Sequence, residues 1–137
     1  MTTIVDASVA VKWVVEEEGS AEAAAIAEHD LRAPELLLTE CANALWAKAR
    51  RGELTGDQVR ERVAALQAAP LFFVSQAELI AEAVDLALEI GHPVYDCLYL
   101  ALAIRDDAVL VTADGRLLRI VRSHRRLRPF VTPLIGS

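Results

Sequence analysis

The feature that most constrains this chain is a series of short β-rich runs set between stretches with helical spacing. "TTIV" (Thr2–Val5), "LFFV" (Leu71–Val74) and "AVLVT" (108–112) are predicted strands, with "LRAP" (31–34) a short connection or strand and "FVT" (130–132) a last one. Strands separated by helices cannot turn back as hairpins; they run parallel and need both faces of their sheet covered. The fold class is therefore α/β with a short, mainly parallel central sheet. Turn chemistry sets the expected helix limits. Gly19, Gly52 and Gly91 are stops, Ser20 an N-cap, Pro34 a helix start, and Thr55 with Gln58 a capping box.

At 137 residues, 54% of them hydrophobic, the chain is expected to be one folded domain over residues 1–137. Its longest apolar run, residues 97–104, is eight residues and too short to cross a bilayer. The opening "MTTIVDASVAVKW" lacks a leading positive charge and is broken by Asp6 and Lys12, so no secretory leader and a cytoplasmic location are expected. Cys41 and Cys97 show no zinc spacing and read as reduced core residues. The net charge of −6 is lopsided. Up to Asp114 there are 20 acidic and 8 basic residues, whereas the tail from Gly115 carries six arginines and no acid. Such a segment suits a polyanion or an acidic partner, or simply balances the acidic body.

Acids recur at one address. Asp6 and Asp114 each follow the carboxyl end of an apolar strand, and Asp96 opens the apolar helix "YDCLYLALAIRDD" after a Gly-His-Pro connection. Taken alone, an acid in a first helical turn caps free N–H groups. Yet sites in open α/β sheets form beyond the strands' carboxyl ends, where these three acids would meet. Glu40 is a fourth, projecting with Asn43 beside the apolar face of "ELLLTECANALW".

Four converging carboxylates need a counter-charge. With few histidines and no cysteine cluster, the natural one is a hard divalent cation with oxygen ligands, Mg²⁺ or Mn²⁺. Such an ion suits phosphodiester hydrolysis, and an acid that is not a direct ligand can serve the attacking water. Ser8, Asn43 and Thr112 are the polar groups placed to orient the acids or the substrate.

In that order and with these separations, "VDASVAVKW", "PELLLTECANALW", "YDCLYLALA" and "LVTADGRL" resemble the PIN-domain ribonucleases, most closely VapC-like toxins of toxin–antitoxin pairs. The resemblance runs over essentially the whole chain and implies a three-layer α/β/α sandwich, a Mg²⁺- or Mn²⁺-dependent endoribonuclease, a homodimer and a VapB-like antitoxin. Carried over by position, the family's acids fall on Asp6, Glu40, Asp96 and Asp114. Asp6, Asp96 and Asp114 would hold the metal, with Glu40 joining directly or through water. The family's Asn falls on Asn43 and its Thr on Thr112. Where some members have another acid, this chain has Arg116, which puts a second metal in doubt. The implied antitoxin lays its C-terminal segment in the groove leading to the acids. RNA would be gripped by local arginines, for which Arg50, Arg51, Arg116 and Arg119 are candidates.

The alternative is a PIN fold that docks an antitoxin or RNA without turnover. A strand ending in Asp also opens haloacid-dehalogenase-like phosphatases, but their second Asp is here Ser8. Trp13 and Trp46 are expected to pack in the core or at a dimer interface, Tyr95 and Tyr99 to pack, and His29, His92 and His124 to lie on the surface or in loops.

Overall fold

A computed structural model describes residues 2–135. Five strands form one sheet: β1 Thr2–Val5, β2 Asp30–Pro34, β3 Leu71–Val74, β4 Val109–Thr112 and β5 Val131–Pro133. Their order is β3-β2-β1-β4-β5, and every neighbouring pair is parallel. The helices are α1 Ala7–Ala10, α2 Ser20–Ile26, α3 Leu36–Arg50, α4 Gly56–Ala68, α5 Ile80–Ile90, α6 Val94–Arg105 and α7 Gly115–Arg122. The chain winds outward from β1 to β3, then crosses back to β4 and winds the other way. Because parallel crossovers are right-handed, this reversal puts the earlier helices on one face and the later ones on the other. The result is a three-layer α/β/α sandwich, as expected.

Burial on both faces explains the unalternating strands. Ile4, Val5 and Leu110 are fully buried, and α6 lies across β1, β2 and β4 with residues 97–103 all buried. The apolar "CLYLALA" is thus a core helix, and none of the described helices is long and apolar enough to cross a membrane.

Local expectations fared unevenly. Thr55 and Gln58 form the capping box, with both of its hydrogen bonds. Ser20, expected as an N-cap, instead begins α2: Gly19 precedes it in the left-handed region at φ +91°. The Ser20 hydroxyl accepts from Glu17 N–H and donates to Val15 O, closing the preceding loop. Pro34 ends β2 rather than starting α3. It can do so because the sheet needs no N–H from a strand's end, and Glu35 N–H bonds Val74 O at 2.9 Å to finish the ladder. The stretch after Asp6 is a short α-turn followed by a 3-10 turn, Val11–Trp13, rather than one helix to Gly19.

Where the winding reverses, between β1 and β4, the carboxyl ends of two adjacent strands have no crossover between them. That is the switch point at which α/β sheets open a crevice.

Candidate metal centre

Asp6 sits immediately beyond β1 and is 4% exposed. Its partners are both hydroxyls: Ser8 Oγ donates to Oδ1 at 2.5 Å, and Thr112 Oγ1, at the end of β4, donates to Oδ2. The same hydroxyls accept in turn, Ser8 from Ala113 N–H (2.8 Å) and Thr112 from Asp114 N–H (3.0 Å). The ends of β1 and β4 are thereby stitched together around one carboxylate. Burial raises the Asp6 carboxyl to about 6; the two hydroxyls pull it down and the charge of Asp96 pushes it up.

The other three acids come from helices. Glu40, in α3, is half-buried and takes a 2.5 Å hydrogen bond on Oε1 from the Tyr99 hydroxyl of α6. Burial moves the Glu40 carboxyl upward; Tyr99 opposes the shift and Asp96 adds to it. Asp96 lies in the first turn of α6, but it caps nothing: that helix has no side-chain cap, and Asp96 Oδ2 instead meets His92 Nε2 at 2.6 Å. Asp114 is the acid that does cap, its Oδ1 accepting from Arg116 N–H at 2.9 Å at the head of α7.

The four carboxylates bound one cleft of about 180 Å³, with Ala7 and Ser8 completing its wall and no lysine or arginine among its lining residues. One oxygen each of Asp96 and Asp114 and a ring nitrogen of His92 lie within 4.8 Å of one another. Asp6 lies outside that closest trio while facing the same cleft. An all-oxygen wall without a counter-charge is the donor set of a hard divalent cation, so these residues fit such an ion. Burial holds the cysteines as thiols, Cys41 at about 12 and Cys97 at about 11, which removes thiolates from the donor set.

Some expectations are corrected. His92 lies in a loop, between α5 and α6, as one of its two expectations had it, but it is buried against Asp96 rather than on the surface. Tyr99 packs, at 1% exposure, and also holds Glu40. Tyr95 does not pack and Trp46 is not part of the core: both are largely exposed, and Arg50 stacks over the Trp46 ring at 5.7 Å. Trp13 does pack, its Nε1–H donating to Ala23 O. Asn43 is exposed and lines a groove with Leu36, Thr39, Ala44 and Tyr95; Glu40 belongs to both groove and cleft. Arg51 pairs with Glu53 at 2.5 Å, and Arg126 reaches back to Glu89, so the basic tail folds onto the body in part. Arg116 and Arg119 are exposed along α7, just past Asp114. The Tyr99–Glu40 contact had a signal in the sequence only in hindsight, since Tyr99 lies one turn beyond Asp96.

Comparison with known proteins agrees with this geometry. The family model described as "PIN domain" matches residues 3–122. Ribonuclease VapC3 of Pyrobaculum aerophilum is 38% identical over 121 residues, covering 85% of this chain and 92% of the relative. Among solved structures, PAE2754 from Pyrobaculum aerophilum is similar with a TM-score of 0.70 and 25% identity, covering 88% of this chain and 79% of its own. A toxin–antitoxin complex from Klebsiella pneumoniae shares the fold with a TM-score of 0.68 at 15% identity, covering 98% and 99%.

Proposed function

This chain belongs to the PIN-domain family, and from that premise we propose that it is a Mg²⁺- or Mn²⁺-dependent endoribonuclease, the toxin of a toxin–antitoxin pair. The observation that carries the reading is the cleft itself: four carboxylates face one space whose lining includes no basic side chain. The relative named as a ribonuclease covers most of the chain and supports RNA as the substrate. We take residues 1–137 as one PIN domain acting in the cytoplasm as a homodimer.

In this reading Asp6, Asp96 and Asp114 hold the cation. When bound, it supplies Lewis acidity toward a phosphodiester oxygen and strengthens the acidity of water. The protein's own groups do the rest. Ser8 and Thr112 keep Asp6 from rotating. Glu40 lines the cleft with one oxygen engaged by Tyr99, and its burial-raised carboxyl suits a general base for the attacking water. Water attack on phosphorus leaves a 5′-phosphate and a 3′-hydroxyl. Arg116 and Arg119, exposed beside the cleft, and Arg50 and Arg51, at the far end of α3, would hold RNA phosphates. The groove past Glu40 suits the antitoxin's C-terminal segment, with a basic side chain reaching the acids; the Klebsiella pneumoniae relative is described as a toxin–antitoxin complex.

The test is incubation of the protein with pooled cellular RNA, with and without Mg²⁺ or Mn²⁺, beside Asp96→Asn of matching circular dichroism. Discrete products that need both metal and Asp96 and carry 5′-phosphates are expected. RNA retained intact by both proteins would replace the enzyme with a binding module.

A further inference from the structure

We propose that His92 is a positioning residue of this centre: its imidazole fixes one oxygen of Asp96, so that the other oxygen is presented to a divalent cation in a constant direction. The inference rests on the reading of the cleft as a metal centre and extends it to a residue outside the four acids.

Three observations converge on it. First, His92 is 6% exposed although Gly91 and Pro93 on either side are exposed, and its buried Nε2 lies 2.6 Å from Asp96 Oδ2. An ionised carboxylate only accepts, so the proton of this contact belongs to Nε2 and is donated to Oδ2. Second, among the described residues Asp96 has no other side-chain hydrogen bond. It stands in the first turn of α6 without bonding a helix N–H. Without the imidazole its side chain would be free to leave the cleft.

Third, the backbone that delivers the ring is pinned on both sides. Gly91 closes α5 in the left-handed region at φ +66°, a conformation glycine accepts without steric cost. Its N–H and that of His92 both donate to Ala87 O, at 2.9 and 3.3 Å. Pro93 then fixes the entry to α6 at φ −55°, and the Cys97 thiol reaches back to His92 O at 3.9 Å. A ring carried on such a strap has little freedom left to lose when it grips a carboxylate.

Direct ligation by the ring is the competing role, and the spacing favours positioning. Two ligand atoms at right angles about a Mg²⁺-sized ion stand about 3 Å apart. The 2.6 Å between Nε2 and Oδ2 is shorter than that separation and is a short hydrogen bond, just under the usual charge-assisted range of about 2.7–2.9 Å.

The experiment is calorimetric titration of the full chain with Mn²⁺, comparing wild type, His92→Ala, His92→Gln, His92→Asn and, as control, Asp96→Asn. Loss of an orienting partner commonly weakens metal binding about 10–100-fold, and that loss is expected for His92→Ala. The Gln side chain can place its amide nitrogen near the Nε2 position and is expected to restore most of the affinity; the shorter Asn is not. Folding is followed by thermal melting. A His92→Ala variant that melts earlier yet binds Mn²⁺ like wild type would show a structural histidine only and overturn the proposal. Should His92→Ala fail to fold, Gln and Asn variants decide: equal affinities overturn it, Gln above Asn supports it. Affinity lost as fully in Gln as in Ala would make the imidazole itself a ligand and also overturn it. Wild type and Asp96→Asn binding no Mn²⁺ would remove the metal centre as well. Wild-type binding that Asp96→Asn loses and His92→Ala keeps would remove His92 alone.

Discussion

The floor and the rim of the cleft carry the same chemical group in two settings. On the floor, Asp6 is buried with both oxygens taken by neutral hydroxyls, and its carboxyl is raised to about 6. On the rim, Asp114 is partly open to solvent and spends one oxygen on the head of α7. A helix N-terminus stabilises an anion by itself. Two hydroxyls in a buried corner do so only partly, and the remaining deficit can be met by a cation. On the proposed reading the floor is therefore where metal binding and ionisation would be coupled, while the rim contributes a carboxylate that also caps a helix.

That contrast can be broken or sharpened by substitution. The largest effect is expected from Asp6→Asn, which keeps hydrogen bonding and removes the charge: metal-dependent RNA cleavage should fall by about 10³-fold or more. Cleavage close to wild type would dissolve the distinction between floor and rim.

A stability prediction follows from the sign of the Asp6 shift. Its folded value of about 6 lies above the ordinary 3.8, so between these the folded state holds a proton the unfolded state has released. Metal-free protein should lose stability as pH rises through that window, by roughly 3 kcal/mol for a shift of this size. Glu40, also raised, works in the same direction. Denaturant titrations at pH 4 to 7 should show the loss, and Asp6→Asn should flatten most of it. Added Mn²⁺ should restore stability at pH 7. A flat curve for metal-free wild type would mean that Asp6 ionises without cost.

Smaller is the effect of Thr112→Val, which strips Asp6 Oδ2 of its donor and Asp114 N–H of its acceptor. A loss of about 1–3 kcal/mol in stability and a shift of the cleavage profile to higher pH are expected. On the rim, Asp114→Ala should lower stability by about 1 kcal/mol through the lost cap. Asp114→Asn should keep that stability, since Asn caps as well as Asp, and both variants should weaken Mn²⁺ binding; equal melting curves would contradict the capping role. Mildest of all, Arg116→Ala should lower RNA affinity and reduce its salt dependence by about one unit of slope while Mn²⁺ affinity stays unchanged. Unaltered RNA binding would sink the role of Arg116.

How much of this was legible beforehand follows from what sequence patterns encode. Strand runs and helical spacing revealed the parallel sheet, and with it the shared edge of Asp6 and Asp114, because both depend on local periodicity and chain order. Which acid caps a helix was not legible. Asp96 has the cap's position in the chain but not its geometry: α6 begins at Val94, two residues earlier than expected, whereas Asp114 stands just before its helix. His92 was missed because its four-residue spacing from Asp96 crosses a Gly-His-Pro strap where helical periodicity does not apply. The burial of Asp6 was equally hidden, since it depends on how the chain packs around the end of β1, although Thr112 was among the groups placed to orient the acids.

The most direct single measurement is an anomalous difference map from crystals of the protein soaked in Mn²⁺. The expected result is one strong peak bounded by Asp6, Asp96 and Asp114, which Asp6→Asn weakens or abolishes. A cleft without a peak, or a peak held by other residues, would contradict the assignment of these carboxylates to a metal centre.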